Sequence, residues 1–489
     1  MYGYNQIFNV SFILAADSYK LHHPAEAKPE NTYALVVAVP RKSSKTTQKI
    51  VAAGITMVAR VINDVRITHK EIDEAVVAAA EMGYELNDKP WRWMVDENSG
   101  RLPLDIWGVE EGTVVKANTP TMAIMNSVAG YGWLAKYSET VTQRIMWKMT
   151  NTASISLYLY EEIKKAMIAT GSDMSMLPYK LHNFGDRGAD GQDAAIMAGI
   201  GQGMVFSGSD CLSANTVIKR LYGGNKPYLS SVDATEHSVM CEYSVTDDKD
   251  DWGAALMSVD RLYEAVARFK RGIGIPVQSV VIDTFDDERF VRDYLGTRLK
   301  DRIINSGGTL VCRPDSGDPL TRPIDIIKIL HEKFGATKNA AGYWVLHPYV
   351  RVIQGDGITQ ESIPIILKNL MDAGYSVDNL LFGMGGGLTH GPGRDEFSYS
   401  MKAIALYNTV LRDWTPLLKA PKTDMGKKSL SGLVRTQIGV DGEIEVVTLK
   451  TAYEYLQECP GWRCYYDGDV GLMYVPTFDE VKARVIATS

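Results

Sequence analysis

Short apolar runs alternate with segments of helical periodicity between about residue 179 and residue 388, and nearly every run ends in Gly, Asp or Arg. The runs occupy residues 179–184, 203–207, 278–282, 309–312, 350–353 and 380–382. Continuous apolar runs of this length are typical of strands buried on both faces of a parallel sheet. The pattern predicts a βα domain over residues 151–395. In barrel enzymes the functional residues lie at the carboxyl ends of such strands.

Two segments between these runs have the spacing of amphipathic helices. One apolar stripe extends from Ile324 to Phe334 and is followed by Gly335, and a second covers residues 363–371 and precedes Gly374. A glycine just past the last periodic residue is a common helix end. Both stripes are ordinary core-packing faces, so they predict connecting helices and no ligand surface.

The flanking regions have a different character. Residues 1–150 combine short strand-like runs with an Ala-rich helical segment at residues 72–82, and residues 133–167 have the pattern of one or two long helices. Residues 400–489 are strand-like and rich in turn formers. We therefore assign residues 1–150 and 396–489 together to one α+β accessory domain, since 489 residues exceed what a single core usually serves.

The composition excludes several classes of protein. A formal net charge of -7 argues against a general nucleic-acid or anionic-membrane surface. No apolar stretch approaches the roughly 20 residues that span a bilayer, and the N-terminal residues lack the features of a secretory signal. The five cysteines are scattered singly, without zinc or redox spacing. We expect a cytoplasmic protein that binds neither nucleic acid nor a membrane.

A glycine-rich segment, Phe-Gly-Met-Gly-Gly-Gly-Leu at residues 382–388, follows one of the predicted strands. Consecutive glycines let backbone N–H groups approach an anion closely, and the guanidinium of Arg394, a few residues downstream, suits phosphate. The segment predicts a phosphate cradle, with a glycine-rich turn that binds nothing as the alternative. No Walker or Rossmann glycine motif is present.

Charged residues follow three further runs. The segment from Arg313 to Asp318 places a cation, a carboxylate and a tight turn at one strand end, a combination that can hold a ribose and favour positive charge at its anomeric carbon. The alternative to a ribose site is a capped strand–helix turn that binds nothing. Asp356 at the next strand end makes this alternative less favoured. Asp283 and His237 complete this set, although a lone histidine is more often structural than catalytic. Carboxylates at these positions suit Mg²⁺ through waters and substrate phosphates, and no His/Cys spacing supports zinc.

Six segments together resemble the nicotinamide phosphoribosyltransferase family. In chain order they are AADSYK, YKLHNFGDRG, SVDATEHS, RPDSGDPL, RVIQGDG and FGMGGGL, beginning at residues 15, 179, 231, 313, 351 and 382. The resemblance covers nearly the whole chain. It implies a type II phosphoribosyltransferase fold, an irregular (β/α) barrel with a β-rich accessory domain, and a head-to-tail homodimer whose two active sites each draw on both subunits.

The resemblance also implies a site for nicotinamide. Phe184 and, from the second subunit, Tyr19 would sandwich the pyridine ring, while Asp210, Ser279 and Arg313 would surround the carboxamide. A carboxylate at Asp210 accepts a hydrogen bond from an amide NH₂ group but repels the carboxylate of nicotinic acid, which selects amide over acid. Aromatic faces on both sides of the ring add stacking.

The implied site for phosphoribosyl pyrophosphate is built from charged side chains and glycine backbones. Its ribose phosphate would be held by Arg187, Asp315, Gly355, Asp356, Gly385, Gly386 and Arg394. Its pyrophosphate would be bound with Mg²⁺ by Arg41, Lys402 and Lys419, of which the first two or all three come across the dimer interface. Solvated surface charge is the alternative interpretation of these three cations.

His237 matches the histidine that this family phosphorylates from ATP, and Asp283 would orient its imidazole. The pyridine nitrogen carries no proton to remove, so catalysis needs no general base. It consists of positioning the nitrogen, stabilising an oxocarbenium-like C1′, where Asp315 would act, and neutralising the departing pyrophosphate.

Four positions depart from the family pattern. Asp186 stands where the motif usually has an aromatic residue, Asp233 where it has proline, and Met384 where it has serine. The residues after Lys428 are Ser-Leu-Ser, without the arginine expected for binding pyrophosphate or ATP phosphates. This last departure makes the coupling to ATP less strongly predicted than the transfer itself.

Two alternative functions share this fold. A nicotinate phosphoribosyltransferase uses the same donor, and Asp210 together with the order of the motifs argues against it. A catalytically silent nucleotide-binding protein is the alternative of another class, and the retention of His237, Asp283, Arg313 and Asp315 argues against that one.

Overall fold

The computed structural model describes residues 10–423 and 427–489. The chain divides into two compact units. The first contains the described residues up to Ser154, Ile218–Gly224 and Gly393–Thr488, and the second contains Ile155–Val217 and Asn225–Pro392, with Ser489. The predicted boundaries at residues 150 and 395 lie close to these divisions, but the sequence did not assign Ile218–Gly224 to the first unit.

A seven-stranded parallel sheet forms the second unit. In sheet order its strands are Gly208–Ser209, Leu181–Asn183, Leu380–Met384, Val350–Gln354, Thr309–Arg313, Val277–Val281 and Asp233–Ala234, and each adjacent pair is parallel. Ser230, just before the last of these strands, forms a parallel bridge with Gly208 in the first. This bridge links the two edges, so the sheet curls into an irregular barrel, and the predicted α/β fold is confirmed.

Helices surround this sheet. The longer α-helices are Gln192–Gly203, Leu212–Tyr222, Trp252–Phe269, Arg322–Phe334 and Ser362–Asp372. The second of these begins in this unit, and its residues from Ile218 onward belong to the first unit. The shorter elements are Met174–Tyr179, Asp186–Gly188, His237–Glu242, Asp287–Arg289, the π-helix Phe290–Arg298, Lys300–Ser306, Val377–Asn379 and Gly386–Thr389, with the hairpin Ala336–Lys338 and Trp344–Leu346. The two predicted connecting helices are confirmed, and Gly335 caps the first of them.

One predicted strand is wrong. Residues 203–207 form the end of a helix and a turn, and the strand begins only at Gly208. Met204, Val205 and Phe206 are nearly fully buried, so the apolar run reflects packing of the helix end against the core and not a place in the sheet. The strand Asp233–Ala234 was not predicted, because its two residues are exposed and polar or small.

A seven-stranded sheet, antiparallel throughout, organises the first unit. In sheet order its strands are Asp413–Pro416, Ser400–Asn408, Asn31–Val39, Met122–Asn126, Leu104–Gly108, Arg463–Asp467 and Gly471–Leu472. Two further pairs join Ile50–Val51 to Val114–Val115 and Leu433–Ile438 to Ile444–Leu449. The predicted β-rich accessory region is confirmed.

The helices of the first unit include the predicted Ala-rich helix. They are Ser18–His22, His23–Glu26, Ile55–Asp64, His69–Glu81, Lys89–Asp96, Gly132–Tyr137, Arg394–Glu396, Ala452–Tyr455 and Phe478–Ile486. A further helix, Glu139–Ala169, contains the boundary between the units. No helix in the described part of the chain is long and apolar enough to cross a bilayer. The prediction about secretion rests on residues 1–12, of which residues 1–9 lie outside the described part.

A buried carboxylate lies in the core of the first unit. Glu111 is fully buried, and its side chain accepts hydrogen bonds from the backbone N–H groups of Gly54 at 2.5 Å and Thr56 at 3.3 Å. Burial raises the pKa of this carboxyl, and the nearby hydroxyls of Thr56 and Tyr222 partly oppose that shift. Through these two hydrogen bonds, the Glu111 carboxyl connects the segment at residues 54–56 to residue 111.

Candidate active site

A histidine and two carboxylates meet at the carboxyl ends of neighbouring parallel strands in the second unit. His237 begins a short helix, and its Nε2 lies 3.0 Å from Asp283 Oδ1, while its Nδ1 lies 3.8 Å from Asp315 Oδ2. The second oxygen of Asp283 accepts a hydrogen bond from the Asp315 backbone N–H at 3.0 Å. Asp283 is thus fixed on both sides, whereas 44% of the His237 side chain is exposed. This arrangement leaves the imidazole accessible.

Arg313 lies at the end of the next strand and is positioned through Thr235. Its Nη2 donates to the Thr235 carbonyl at 3.4 Å. The backbone N–H of Thr235 donates to the Ser279 carbonyl at 3.1 Å, and its hydroxyl accepts from the Val281 N–H at 3.0 Å. These contacts extend the pairing of the strands Asp233–Ala234 and Val277–Val281 beyond Ala234. They connect buried Ser279 and partly exposed Arg313 to Thr235, two residues before His237.

Phe184 packs over the backbone of two glycines at neighbouring strand ends. A Cβ atom on Gly383 would lie 2.0 Å from the Phe184 ring, and one on Gly355 would lie 3.3 Å from it. The Gly355 position is also 3.6 Å from Asp315 Oδ1. Glycine is therefore required at residue 383, and the aromatic ring, Gly355 and Asp315 lie side by side at one edge of the sheet.

Asp210 follows the edge strand Gly208–Ser209. Its backbone N–H donates to the Asn183 carbonyl at 3.0 Å, which ties it to the adjacent strand. Its side chain is exposed, and Oδ1 accepts a hydrogen bond from the Ser231 hydroxyl at 2.5 Å. Sequence reasoning missed Ser231, because nothing in the local pattern predicts a contact across 21 residues.

A buried histidine lies beneath this carboxylate. Burial lowers the pKa of His182, and the nearby Asp210 charge partly opposes the shift. A Cβ atom on Gly208 would lie 2.7 Å from the imidazole, so the ring packs on the backbone of the edge strand. Burial thus favours a neutral imidazole in the core of the second unit, beside the Asp210 charge.

The glycine-rich segment is tied to the loop that carries Arg187. The Phe184 N–H donates to the Met384 carbonyl at 2.9 Å, and the Thr389 hydroxyl donates to the Gly185 carbonyl at 2.9 Å. Gly386 begins the helical turn Gly386–Thr389, with open space where its Cβ would be. The Arg187 side chain is exposed, as is that of Asp356 at the adjacent strand end.

Two of the departures from the family pattern have a structural explanation. Met384 is fully buried, and its Cε lies 3.1 Å from the position of a Cβ on Gly387, so the side chain supports the glycine segment from below. The Asp233 carboxylate forms an ion pair with Arg268. Asp186 is exposed, and nothing in the structure explains the loss of an aromatic residue there.

Five cations of the first unit line one cavity of about 330 Å³. They are Arg41, Lys402, Lys419, Lys427 and Lys428. The three predicted pyrophosphate ligands are therefore brought together, although they are far apart in sequence. Such a concentration of positive charge suits a polyanion.

Contacts of two cations of this cavity are defined. Arg41 Nε donates to the Ser398 carbonyl at 3.1 Å, and Lys402 Nζ lies 3.5 Å from Glu139 Oε1. The other Glu139 oxygen accepts from buried Lys20 at 2.9 Å. Glu139 was not predicted, because 263 residues separate it from Lys402.

Two more predicted residues belong to the first unit. Tyr19 is 57% exposed, and Lys20 Nζ lies 5.6 Å from the centre of its ring. Arg394 is also exposed and pairs with Asp395 at 3.1 Å. The predicted site residues are thus divided between the two units. Within the described residues, no group of three His, Cys, Asp or Glu side chains has the geometry to hold a metal ion.

Comparison with known proteins identifies the family. Residues 179–456 match the nicotinate phosphoribosyltransferase (NAPRTase) family, and residues 11–106 match the nicotinamide phosphoribosyltransferase N-terminal domain. The chain belongs to the nicotinate phosphoribosyltransferase family. The matched residues include every group of the second unit described above, so the predicted family resemblance is confirmed, and the chain is an enzyme.

Two bacterial relatives are similar over most of their length. A nicotinamide phosphoribosyltransferase of Xanthomonas campestris pv. campestris (strain 8004) is 34% identical over 424 residues, which is 86% of each chain. One of Acinetobacter baylyi (strain ATCC 33305 / BD413 / ADP1) is 32% identical over 407 residues, 79% of this chain and 76% of the relative.

Solved structures support the fold. The nicotinate-nucleotide pyrophosphorylase of Pyrococcus furiosus superposes with a TM-score of 0.57 at 15% identity, covering 100% of this chain and 97% of that one. Human nicotinic acid phosphoribosyltransferase gives a TM-score of 0.55 at 14% identity, covering 97% and 93%. At such identities the likeness concerns the fold alone, and it confirms the predicted barrel with an accessory domain.

Proposed function

We propose that the protein transfers the phosphoribosyl group of phosphoribosyl pyrophosphate to the pyridine nitrogen of nicotinamide, which yields nicotinamide mononucleotide and pyrophosphate for NAD salvage. Two relatives that are more than 30% identical bear the name nicotinamide phosphoribosyltransferase. The single observation that carries the choice of the amide is Asp210, an exposed carboxylate at a strand end beside Phe184's strand.

The choice of nicotinamide over nicotinic acid follows from charge. Asp210 is an acceptor when ionised, so it pairs with an amide NH₂ group and repels a second carboxylate. Ser279 and Arg313 would bind the carboxamide oxygen. The Phe184 ring, fixed over Gly383 and Gly355, would stack on one face of the pyridine. A nicotinate phosphoribosyltransferase would need a donor at residue 210.

The transfer itself is supported by the group around Asp315. As the bond from C1′ to pyrophosphate breaks, positive charge develops on the ribose, and a fixed carboxylate stabilises it. Gly355 and Asp356, Gly385 and Gly386, Arg187 and Arg394 would hold the ribose and its 5′-phosphate. The pyridine nitrogen attacks with its own lone pair, so the proposed mechanism contains no proton transfer.

The leaving pyrophosphate would be bound by Arg41, Lys402 and Lys419. Mg²⁺ prefers oxygen ligands and keeps several waters. The carboxylates of Asp315 and Asp356, the first partly exposed and the second exposed, fit a magnesium ion that arrives on the pyrophosphate. When bound, it would supply charge for the leaving group. We propose a cytoplasmic homodimer in which Tyr19 and the cavity cations of one subunit complete the site of the other.

ATP is proposed as an activating co-substrate through His237. The imidazole is held at 3.0 Å by Asp283 yet remains accessible, as an acceptor of a phosphoryl group must be. Transfer would form a phosphorus–nitrogen bond on the imidazole, with ADP as the leaving group. The variant His237→Gln should retain transfer and lose its stimulation by ATP, and equal stimulation of variant and parent would exclude His237 as the acceptor.

The experiment that tests the function is mononucleotide formation by the purified protein. Phosphoribosyl pyrophosphate and Mg²⁺ are supplied with either nicotinamide or nicotinic acid, each with and without ATP, and the products are resolved by chromatography. The proposal predicts nicotinamide mononucleotide as the product. If only the reaction with nicotinic acid gives a mononucleotide, the protein is a nicotinate phosphoribosyltransferase. If neither base gives a product, a catalytically silent binding protein is favoured.

A further inference from the structure

Asp210 does not stand alone at the edge of the barrel. The hydroxyl of Ser231 donates to its Oδ1 at 2.5 Å. The Ser231 hydroxyl also lies 3.4 Å from the Val232 carbonyl, a second acceptor. Among the described residues, the side-chain hydrogen bond of Asp210 goes to Oδ1, and none is formed with Oδ2. One carboxylate oxygen is therefore engaged by the protein, and the other is left to receive a donor from outside.

The backbone around Ser231 is fixed by the contact that closes the barrel. The Ser209 N–H donates to the Ser230 carbonyl at 2.9 Å, and the Ser230 N–H donates to the Ser207 carbonyl at 2.8 Å. Asp210 is tied to the next strand by its own backbone N–H at 3.0 Å. Both partners of the side-chain contact are thus held by the sheet, although both side chains are exposed.

The direction of this hydrogen bond limits what the pair can offer a ligand. A serine hydroxyl has one hydrogen and two lone pairs, and here both neighbours of the Ser231 hydroxyl are acceptors. Its hydrogen is directed inward, so Ser231 and Asp210 together present only lone pairs outward. Such a surface receives the N–H donors of an amide and excludes a carboxylate, which has none.

We propose that Ser231 is a positioning residue that sets the preference for amide over acid by orienting Asp210. This inference rests on the proposed function. Ser231 holds the carboxylate in one rotamer, so that Oδ2 faces the incoming NH₂ group. Without the hydroxyl, the carboxylate turns to other donors. A water molecule in place of the hydroxyl can then donate to nicotinic acid, so discrimination against the acid falls.

The test compares kcat/KM for nicotinamide with kcat/KM for nicotinic acid in matched variants. Ser231→Ala should lower the amide-to-acid ratio about tenfold, since hydrogen bonds to charged groups are among the stronger ones, and Ser231→Thr should restore it. The adjacent Ser230→Ala is the control. Its hydroxyl lies 3.4 Å from the Ser207 carbonyl and does not contact Asp210, so the ratio should stay within about twofold of the parent's.

A double variant separates positioning from simple structural support. Because Ser231 acts through Asp210, Ser231→Ala should leave the ratio unchanged in an Asp210→Asn background. If Ser231→Ala turns over neither base, relative binding of nicotinamide and nicotinic acid, followed by ligand-observed NMR, gives the same ratio. The proposal is overturned if Ser231→Ala keeps the parent's ratio, if Ser230→Ala lowers it equally, or if the two substitutions are additive. A parent protein that makes no product from nicotinamide refutes the proposed function instead.

Discussion

The two units hold their charged residues in different ways. In the second unit, Asp283 bonds His237 with one oxygen at 3.0 Å and the Asp315 backbone with the other, and it is almost fully buried. In the first unit, Lys402 is 46% exposed and touches Glu139 at only 3.5 Å. The charged group of the second unit is thus fixed by a backbone hydrogen bond, whereas the cations of the first unit stand on long, flexible side chains. We infer that groups beside the reacting carbon must be preorganised, whereas cations for a pyrophosphate need mainly charge.

Among the substitutions considered, Asp315→Asn should reduce activity most, because it changes the group in the second unit that backbone contacts hold in place. Asparagine keeps the backbone N–H that bonds Asp283 but removes the charge that we propose stabilises the developing oxocarbenium, so kcat should fall about 10³-fold with an unchanged melting temperature. Steady-state kinetics with saturating substrates measures the fall. Asp318→Asn in the same loop is the control, since asparagine can still accept from the Leu320 N–H. A fall smaller than about tenfold would contradict preorganised charge at Asp315.

Lys402→Met should have a smaller effect of another kind. Losing one cation of several weakens binding of phosphoribosyl pyrophosphate, so its KM should rise about tenfold while kcat changes little. The rise should shrink as salt is added, because exposed charges are screened. Lys70→Met, which removes an exposed lysine paired with Glu74, serves as the control. A change in kcat without a change in KM would mean that Lys402 acts in the chemical step.

Glu111→Gln should have the smallest effect on activity and should act on stability alone. Burial raises the pKa of Glu111 in the folded protein above its usual value near 4.5. The folded state then binds more protons than the unfolded state above that value, so the free energy of unfolding falls as pH rises. The variant lacks this titration and should lose less stability in urea unfolding as pH rises above that value. A parallel loss in both proteins would contradict this account of Glu111.

Most strands of the barrel and the residues at their ends were predictable, because a buried parallel strand is a continuous apolar run and its end is marked by a polar residue or glycine. Arg313, Asp283 and Phe184 lie at such ends. The same signal failed at residues 203–207, where a helix end is as buried as a strand. Burial alone does not distinguish the two.

Contacts across the chain were not predictable from local pattern. Ser231 meets Asp210 only because the barrel closes between Gly208 and Ser230. Lys402 meets Glu139 only because a strand and the start of a long helix come together in the first unit. The family resemblance supplied the roles of individual residues, whereas the partners that position them required the structure.

The central claim is that Asp210 makes the enzyme select nicotinamide, and a competition experiment tests it most directly. Nicotinamide and nicotinic acid are supplied in equal amounts with phosphoribosyl pyrophosphate and Mg²⁺ to the parent and to Asp210→Asn, and both mononucleotides are quantified from one reaction. The account predicts nicotinamide mononucleotide as the dominant product of the parent, and a shift of at least about tenfold toward nicotinate mononucleotide in the variant. A parent that makes mainly nicotinate mononucleotide, or a variant with the parent's product ratio, would contradict it.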